Sequence, residues 1–322
     1  MQSKKFSIGI DIGGTNTTFG IVNRKGEVVF QATLATAQYP GPEELLRSVH
    51  QHLSASIQQL GIAEFIGLGI GAPGANYYTG EITAAANLKW TLPVALQQIA
   101  SSIFALPCTI TNDAKAATIG EMTYGAAKGM KDFFLITLGT GVGSGFVAKG
   151  QLIYGHDGFA GELGHSIAIE NGRECGCGRK GCLERYASAS GMVLTAMEEL
   201  DRQKNSQGHL ARILKQKGSF TAHDIYTAAT QGDPAALQTF ELTGKVLGLS
   251  LANAVSIMSP QAIVFFGGPS RSGKLLLDPV KKHLEANLLS IYQDKVAVIE
   301  SLLPQNDAAI IGAGALAWEK IR

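Results

Sequence analysis

The chain has 322 residues, of which 45% are hydrophobic and 16% are charged, and its formal net charge is +1. This length and composition predict a soluble α/β protein of two domains. No run of Lys or Arg is dense enough to indicate a nucleic-acid partner. The N-terminus runs directly into a polar, glycine-rich turn, and the apolar stretch from Leu247 to Phe266 is interrupted by polar residues and Pro260. We therefore expect no secretory signal and no membrane span. The expected location is the cytoplasm.

Two segments of the chain have similar sequences. Residues 8–29 read IGIDIGGTNTTFGIVNRKGEVV, and residues 134–153 read FLITLGTGVGSGFVAKGQLI. Each has an apolar β-rich run, a Gly/Thr turn, a second apolar run and a Lys-Gly turn, which predicts a β-hairpin. They align at three positions, Gly20 with Gly145, Val22 with Val147, and Gly26 with Gly150. The match favours a duplicated hairpin, although two unrelated Gly-rich hairpins would also resemble each other.

The turn of the first hairpin, DIGGTNT at residues 11–17, has the residue types of a phosphate site. Gly13 and Gly14 would let the backbone approach phosphate oxygens, which accept bonds from N–H groups and hydroxyls. Asp11 would repel phosphate unless a cation lay between them, so we interpret it as a Mg²⁺ partner. Neither turn is a Walker A or dinucleotide-binding motif. One such turn alone is more often a plain hairpin, but two matched turns favour a nucleoside triphosphate held by both.

Helical and strand patterns alternate after the first hairpin. Apolar residues recur at helical spacing over residues 42–60, and Pro42 lies early in this helix, where its missing N–H matters little. FIGLGIGAPG then predicts a strand that ends in a Gly/Pro turn. TNDAKAATIGEMTYG, residues 111–125, predicts the end of a strand followed by a helix.

Asp113, at the junction of that strand and helix, is the candidate catalytic base. A carboxylate within hydrogen-bonding distance of a sugar hydroxyl can accept its proton while the bond to phosphorus forms. Asn112 can hold a neighbouring hydroxyl with both its donor and its acceptor. On local sequence alone, the simpler interpretation is that the two residues cap the helix that follows.

Later segments complete the predicted organisation. Helices are expected from Ser188 to Asp201 and from Pro234 to Ser259, followed by a buried strand AIVFFGG and a closing helix AIIGAGALAWEKI. This alternation predicts two α/β domains with helices on the sheet faces. We place the domain boundary near residue 113. The small N-terminal domain then consists of residues 1–112 plus about 305–322, and the large domain consists of residues 113–304.

The segment with the most specific functional pattern is GELGHSIAIENGRECGCGRKGCLER, residues 161–185. His165 lies ten residues before Cys175, and the cysteines Cys175, Cys177 and Cys182 follow the pattern C-x-C-x4-C. One imidazole and three thiolates complete a tetrahedral Zn²⁺ shell without a position for water, which predicts a structural zinc site in the large domain. Three reduced cysteines without a metal are the alternative. The fourth cysteine, Cys108, is interpreted as a small core residue.

Two further pairs are candidate ligand residues. Glu162 and Glu184 flank the cysteine loop, where paired carboxylates suit hydrogen bonds to sugar diols, although exposed acids are usually solvated surface. Gly267 and Gly268 follow a buried strand, and a flat adenine or ribose could lie against this turn. A plain strand-ending turn would have the same sequence.

The motifs DIGGTNT, TNDA, LGTGVGSG, GELGH and CGCGRKGCLE occur in this order. The set resembles the ROK family of bacterial sugar kinases and sugar-responsive repressors, from Ile8 to the closing helix. The resemblance implies an actin-like ATPase (ribonuclease H-like) fold, with two domains and a cleft between them. It further implies that ATP and a sugar bind in that cleft, that closure excludes water, and that the protein is a homodimer.

The resemblance also implies a role for each motif residue. Asp113 resembles the catalytic base, and Asn112 resembles its sugar-binding neighbour. The other implied sugar ligands are Gly74, Asn87, Glu162, His165 and Glu184, with His165 also resembling a zinc ligand beside the three cysteines. The implied phosphate and Mg²⁺ positions are Asp11, Gly13, Gly14, Thr15, Asn16, Thr140 and Gly141.

Together these features predict an ATP-dependent hexose kinase with Asp113 as its base. Glucose is the expected substrate, because GAPG and AAANLKW resemble glucokinase sequences; N-acetylmannosamine, N-acetylglucosamine, fructose or allose would use the same residues. A sugar-binding regulator without turnover is the alternative of another class, and a zinc-stabilised interaction module would leave both Gly hairpins without a role. The repressors carry an N-terminal helix-turn-helix domain, whereas this chain reaches its first phosphate turn at residue 11, so we expect the kinase.

Overall fold

The computed structural model describes residues 5–85, 87–203, 207–304 and 307–319. The chain packs as two compact units, and each unit has its own sheet and its own hydrophobic core. The first unit contains the chain up to Met130, the segment Leu152–Ala160 and the chain from Leu302 onward. The second unit contains Lys131–Gln151 and Gly161–Ser301.

The sheet of the first unit has five strands. They are β1 (Phe6–Ile12), β2 (Asn16–Asn23), β3 (Val28–Ala35), β4 (Phe65–Gly71) and β5 (Cys108–Thr111). Their order is β3-β2-β1-β4-β5. The first three strands are antiparallel, and β4 and β5 are parallel to β1.

The second sheet repeats this arrangement. Its strands are β6 (Phe133–Leu138), β7 (Val142–Ala148), β8 (Gln151–Leu152), β9 (Ala262–Phe266) and β10 (Ala297–Glu300). Their order, β8-β7-β6-β9-β10, again places an antiparallel hairpin beside two parallel strands. The predicted hairpins therefore form as expected, and the similarity extends from the hairpins to the topology of both sheets.

Ten α-helices are found in the described part of the chain. They are α1 (Pro42–Leu60), α2 (Leu96–Phe104), α3 (Asp113–Tyr124), α4 (Glu184–Ala187), α5 (Ala189–Arg202), α6 (His209–Lys217), α7 (Ala222–Thr230), α8 (Pro234–Met258), α9 (Lys274–Asn287) and α10 (Ala308–Glu319). The predicted helix 42–60 is confirmed with the same bounds. Ser188 and Ser259, predicted as helix residues, are instead the N-cap of α5 and the left-handed C-cap of α8.

Helix α10 packs against β1, β4 and α3, and glycines lie at several of these contacts. Cβ atoms added to Gly9 of β1 and Gly69 of β4 would clash with the backbone of α10. A Cβ atom on Gly120 of α3 would lie 2.9 Å from Gly312 Cα. These glycines let the backbones of the two layers touch, because a larger side chain would force the layers apart.

The two compact units divide the chain differently from the predicted domains. The predicted domain boundary at residue 113 lies inside the first unit, because α3 packs against α10 and the unit ends only at Met130. The closing helix lies in the first unit, next to β1 and β4. Within the described ranges, no helix combines the length and the apolar character that a membrane span requires.

Candidate active site

Asp11 and Asp113 lie at the carboxyl edge of the parallel strands in the first sheet. The strand registers pair Asp11 of β1 with Gly71 of β4, and Gly71 with Thr111 of β5. Asp113 follows Thr111 by two residues as the first residue of α3. A Cβ atom on Gly71 would lie 3.4 Å from Asp11 Oδ1 and 3.5 Å from Asp113 Cα, so the two acids flank this glycine. Ligand sites of open α/β sheets gather at this edge.

Both carboxyl groups are perturbed by their surroundings. Asp113 is exposed and Asp11 is half-buried, but the protein packed around both groups removes part of the water that would stabilise their charges. Desolvation, followed by the nearby charge of Asp113, raises the pKa of Asp11 to about 7. Desolvation also raises the pKa of Asp113, against hydrogen bonds from its own backbone, Ala114 and Asn112 that lower it. A carboxyl group whose pKa is raised toward neutral pH suits general-base catalysis.

Asn112 is the N-cap of α3. Its Oδ1 accepts the N–H of Ala114 at 2.9 Å and that of Lys115 at 3.4 Å. Asp113 Oδ1 also accepts the Ala114 N–H, at 2.8 Å. The capping interpretation therefore holds for the Asn112 side chain, and it fixes that side chain next to the candidate base.

Lys115, in the first turn of α3, is a buried cation close to the candidate base in sequence. Its Nζ donates to the carbonyl oxygen of Gly158 at 2.8 Å and lies 5.9 Å from the centre of the Tyr154 ring. This bond ties the start of α3 to the segment Leu152–Ala160 of the same unit.

The turn between β1 and β2 is closed by backbone hydrogen bonds. Gly13 N–H donates to Asn16 O at 2.9 Å, and Thr36 N–H donates to Thr15 O at 2.9 Å. The side chains of Thr15 and Asn16 are exposed. The turn therefore presents polar side chains on a backbone that is already held in place.

The segment predicted to contact the sugar lies against the first turn. A Cβ atom on Gly14 would clash with the carbonyl oxygen of Asn87, so these two residues touch through the backbone. Gly74 has a φ of 66°, and a Cβ atom there would clash with Ala84 O. The GAPG turn thus requires glycine at this position, both for its left-handed conformation and for its close approach.

The turn of the second hairpin is held by the start of α5. Ala189 N–H donates to Gly139 O at 2.8 Å, and Ser190 Oγ donates to Thr140 O at 3.0 Å. Ser188, the N-cap of α5, accepts the Gly191 N–H at 3.0 Å. The position of this turn therefore depends on the position of α5.

Glu184 also contacts the second hairpin. As the first residue of α4, it accepts the Val142 N–H at its Oε2 at 3.0 Å. A Cβ atom on Gly141 would clash with the same oxygen. The predicted sugar ligand Glu184 and the predicted phosphate residue Gly141 are thus in direct contact.

Gly267 and Gly268 lie at the same sheet edge as the second hairpin. Gly267 has a φ of 105°, and a Cβ atom there would clash with Leu138 O at the end of β6. Gly268 borders a cavity of 430 Å³ in the second unit. Its lining includes Met192, His223, Tyr226, Pro269 and Arg271. A cavity of this size with an aromatic wall could accept a planar heterocycle.

Ser144 of β7 holds the GELGH segment. Its hydroxyl donates to the carbonyl oxygen of Gly161 and accepts the Leu163 N–H at 3.2 Å. These two bonds bracket Glu162, whose side chain is exposed. Glu162 O accepts the His165 N–H at 3.0 Å, at the start of a short 3-10 turn. The backbone beneath Glu162 is therefore fixed while its carboxylate remains accessible.

The structure brings the four predicted metal ligands together. One ligand atom from each of His165, Cys175, Cys177 and Cys182 lies within 4.8 Å of the others. His165 Nδ1 is 3.7 Å from Cys175 Sγ, and the sulfurs of Cys177 and Cys182 are 3.6 Å apart. This donor set fits a structural Zn²⁺ site.

The protonation of the thiols differs across the cluster. Hydrogen bonds from the backbone and then the side chain of Arg179 lower the pKa of Cys177 to about 6. Burial raises the pKa of Cys182 to about 12. Arg179 also donates to His165 O at 2.7 Å, so it contacts both ends of the cluster.

The predicted site residues fall into two sets. The first unit contains Asp11, Gly13, Gly14, Thr15, Asn16, Gly74, Asn87, Asn112 and Asp113. The second contains Thr140, Gly141, Glu162, His165, Cys175, Cys177, Cys182, Glu184, Gly267 and Gly268. Gly71 and Ser144 were not predicted as site residues from the sequence. Their only sequence signals were a glycine at a strand end and a serine within a Gly-rich turn.

Several known proteins are similar to this chain over most of its length. A glucokinase of Halalkalibacterium halodurans is 37% identical over 317 residues, which cover 97% of this chain and 95% of the relative. A xylose repressor of Caldicellulosiruptor bescii is 29% identical, over 85% of this chain and 69% of the relative. A crystal structure of a ROK glucokinase from Streptomyces griseus with glucose and AMPPNP has 30% sequence identity and a TM-score of 0.81, and covers 98% of this chain and 99% of that chain.

The repeated sheet topology, the position of Asp11 and Asp113 at strand ends of the first sheet, and the similarity to sugar kinase structures define the class of the protein, which has the two-domain, actin-like ATPase fold of the sugar kinases. The sequence model described as the ROK family matches residues 7–320. The chain belongs to the ROK family.

Proposed function

We propose that the chain is an ATP-dependent hexose kinase that forms glucose 6-phosphate from glucose, with Asp113 as the general base. The observation that carries this proposal is the position of Asp113 beside Asp11 at the carboxyl ends of β5 and β1. Glucokinases that match nearly the whole chain at 31–37% identity support a hexose kinase.

The proposed reaction transfers one proton and one phosphoryl group. The sugar hydroxyl oxygen attacks the γ-phosphorus of ATP, and the bond between that phosphorus and the β–γ bridging oxygen breaks to leave ADP. Asp113 accepts the hydroxyl proton as the new bond forms. The raised pKa of Asp113 makes it a stronger base than an ordinary aspartate once it is ionised.

The remaining residues bind and orient the reactants. Glu162, His165, Glu184, Asn112, Asn87 and Gly74 are the proposed sugar ligands. The two hairpin turns offer backbone N–H groups and hydroxyls to the phosphates, at Gly13 to Asn16 and at Thr140 and Gly141. The cavity beside Gly268 is the proposed position of the nucleotide base.

Two metals belong to the proposal. Asp11 would hold Mg²⁺, which neutralises charge on the phosphates when it is bound. The cluster of His165 and the three cysteines would hold a structural Zn²⁺. With Nδ1 turned toward the cluster, the His165 ring has a second nitrogen with which to meet a sugar hydroxyl. We also propose that the protein is a cytoplasmic homodimer.

An ADP-release assay tests the proposal directly. Wild-type protein is supplied with ATP, Mg²⁺ and in turn glucose, N-acetylmannosamine, N-acetylglucosamine, fructose or allose. Glucose should give the highest kcat/KM. Asp113→Asn should lower kcat by about 10³-fold, because the amide cannot accept the proton. Calorimetry should show that Asp113→Asn still binds glucose.

Asp201→Asn is the matched control, because Asp201 is an exposed acid on α5 that belongs to none of the proposed ligand sets. It should leave turnover unchanged. A wild-type protein that binds glucose without releasing ADP would identify a sugar-binding regulator instead. Faster turnover of another hexose would correct the substrate and keep the reaction.

A further inference from the structure

Arg173 lies at the stem of the cysteine hairpin, two residues before Cys175. The Arg173 carbonyl accepts the Gly181 N–H at 2.8 Å, and its own N–H donates to Tyr186 Oη at 2.7 Å. Glu174 and Lys180 form the next bridge of the hairpin. The backbone of Arg173 therefore closes the loop that carries the three cysteines.

The Arg173 guanidinium is fully hydrogen-bonded, although only 14% of the side chain is exposed. Nε and one Nη2 proton donate to the two carboxylate oxygens of Glu198, at 2.9 and 2.8 Å. The second Nη2 proton meets Thr195 Oγ1 at 2.9 Å. Nη1 donates to the carbonyl oxygens of Arg185 at 2.6 Å and Gly191 at 3.2 Å. These bonds use all five donors of the group, in the fork geometry that lysine lacks.

Three partners of this guanidinium share one face of α5. Gly191, Thr195 and Glu198 follow one another at spacings of four and three residues, which places them along one side of the helix. The Arg173 guanidinium also lies 4.5 Å from the centre of the Tyr186 ring in α4. One side chain therefore fastens the cysteine hairpin to both α4 and α5.

The N-terminus of α5 holds the second Gly hairpin. Ala189 and Ser190 bond the carbonyl oxygens of Gly139 and Thr140, and both donors precede Gly191 in the same helix. A displacement of α5 would therefore displace the turn at Thr140 and Gly141. Among the residues that the structure describes, no other side chain of the cysteine hairpin forms a hydrogen bond with this helix.

We propose that Arg173 is a positioning residue for nucleotide binding. It fixes α5 against the cysteine hairpin, and α5 in turn fixes the turn at Thr140 and Gly141 that would contact the ATP phosphates. This inference rests on the proposed function, because it assigns that turn to the nucleotide. Arg173 holds α5 through a bidentate arginine–carboxylate pair and three further hydrogen bonds. This positioning role requires no contact between Arg173 and ATP.

Calorimetric titration with AMPPNP in the presence of Mg²⁺ tests the proposal on the zinc-loaded protein. The Kd of AMPPNP should rise about 10-fold in Arg173→Ala, the size of effect seen when supporting contacts around a site are removed. Arg173→Lys should show an intermediate rise, because lysine can pair with Glu198 but cannot bond its other partners together. Arg202→Ala removes another arginine–glutamate pair from α5 and should leave the Kd unchanged.

A double-mutant cycle separates positioning from general destabilisation. Ser190→Ala cuts the side-chain bond between α5 and Thr140, so Arg173→Ala should raise the Kd by a smaller factor in that background. All titrations are made at a temperature where each variant is folded, and zinc content is measured for each. If Arg173→Ala does not fold, Arg173→Lys and Glu198→Gln take its place in the cycle.

Each result has a defined consequence. Fully additive effects of Arg173 and Ser190, or a Kd that changes no more than in Arg202→Ala, would overturn the positioning role while leaving the kinase proposal intact. A wild-type protein that does not bind AMPPNP would overturn the proposed function, and this inference with it.

Discussion

Asp11 Oδ1 and Asp113 Cα lie on either side of Gly71, each within 3.5 Å of the place that a Cβ atom would occupy. The arrangement follows from strand register, since Asp11 pairs with Gly71 and Gly71 pairs with Thr111. A Cβ atom at position 71 would be in ordinary van der Waals contact with both residues, and its nearest neighbour would be Ala116 Cβ at 3.3 Å. The charge of Asp113 contributes to the raised pKa of Asp11, so the two side chains are close enough to interact.

The first prediction concerns the titration of Asp11. Desolvation and the charge of Asp113 raise the pKa of Asp11 to about 7. Asp113→Asn removes that charge, so the pKa of Asp11 should fall in the variant. Carboxyl ¹³C NMR of Asp11 as a function of pH measures this shift. The control Asp201→Asn should leave the pKa of Asp11 unchanged. If the pKa of Asp11 is also unchanged in Asp113→Asn, the two acids do not interact.

The second prediction concerns stability and pH. The pKa values of Asp11 and Asp113 are raised in the folded protein, so the folded state binds more protons than the unfolded state above pH 4 or so. The free energy of unfolding should therefore fall as the pH rises from about 4 toward 7 on account of these groups. Asp113→Asn should be more stable than the wild type at pH 8 and should lose this advantage near pH 4. Thermal unfolding at both pH values measures the difference. If Asp113→Asn gains the same stability at pH 4 and at pH 8, the gain comes from packing and not from the removed charge.

The third prediction concerns the layer between α10 and the first sheet. Gly69→Ala places a Cβ atom against the backbone of Ala313, which neither strand nor helix can avoid by a side-chain rotation. The substitution should destabilise the protein by about 3 kcal/mol. Gly41→Ala is the control, because its Cβ atom would meet only the flexible end of Glu44, and the loss of the glycine N-cap of α1 should cost about 1 kcal/mol or less. Urea unfolding gives both values, and similar losses in the two variants would contradict the tight packing.

The features that were predicted correctly are those that short segments of the sequence determine by themselves. Helix α1 has an apolar period and an early Pro42, and the cysteine hairpin has its ligands within a short loop, so both were visible. Asp113 was found because it follows a strand end in a polar motif. Helices α6, α7 and α9 were not predicted individually, although Thr221 and Asp224 form a capping box that marks the start of α7.

Contacts between residues that are far apart in the sequence could not be predicted from it. Gly71 matters only because three strands pair in one register, and Ser144 matters only because Gly161 returns to lie against β7. The placement of α3 with the first unit likewise depends on packing against α10, which lies at the other end of the chain. Periodicity and composition carry no information on such pairings, because they describe each segment by itself.

The fourth prediction concerns the metal. Removal of Zn²⁺ should lower the thermal stability and weaken sugar binding by about 10-fold, because the segment that carries His165 loses its anchor. Zinc content, differential scanning calorimetry and glucose titration of the chelated protein measure the three quantities. Cys108→Ala should keep its zinc, since Cys108 lies outside the cluster. Normal glucose affinity in metal-free protein would contradict the anchoring role.

The last prediction concerns the support beneath Glu162. Ser144→Ala removes a hydroxyl that bonds the backbone on both sides of Glu162 and leaves the Leu163 N–H without this partner. The KM for glucose should rise by about 10-fold, consistent with a loss of about 1–2 kcal/mol for a buried unsatisfied group. The KM for ATP should change little, because the Ser144 hydroxyl bonds the GELGH segment and not the turn at Thr140 and Gly141.

A second serine provides the control for this last experiment. Ser250→Ala removes another buried hydroxyl of the same unit, which donates to Val246 O within α8, and should leave both KM values unchanged. In a Glu162→Gln background, Ser144→Ala should have a smaller effect on the glucose KM, because the carboxylate that it positions is already lost. Equal increases in the KM for glucose and for ATP would mean that Ser144 supports the second hairpin as a whole and not Glu162 in particular.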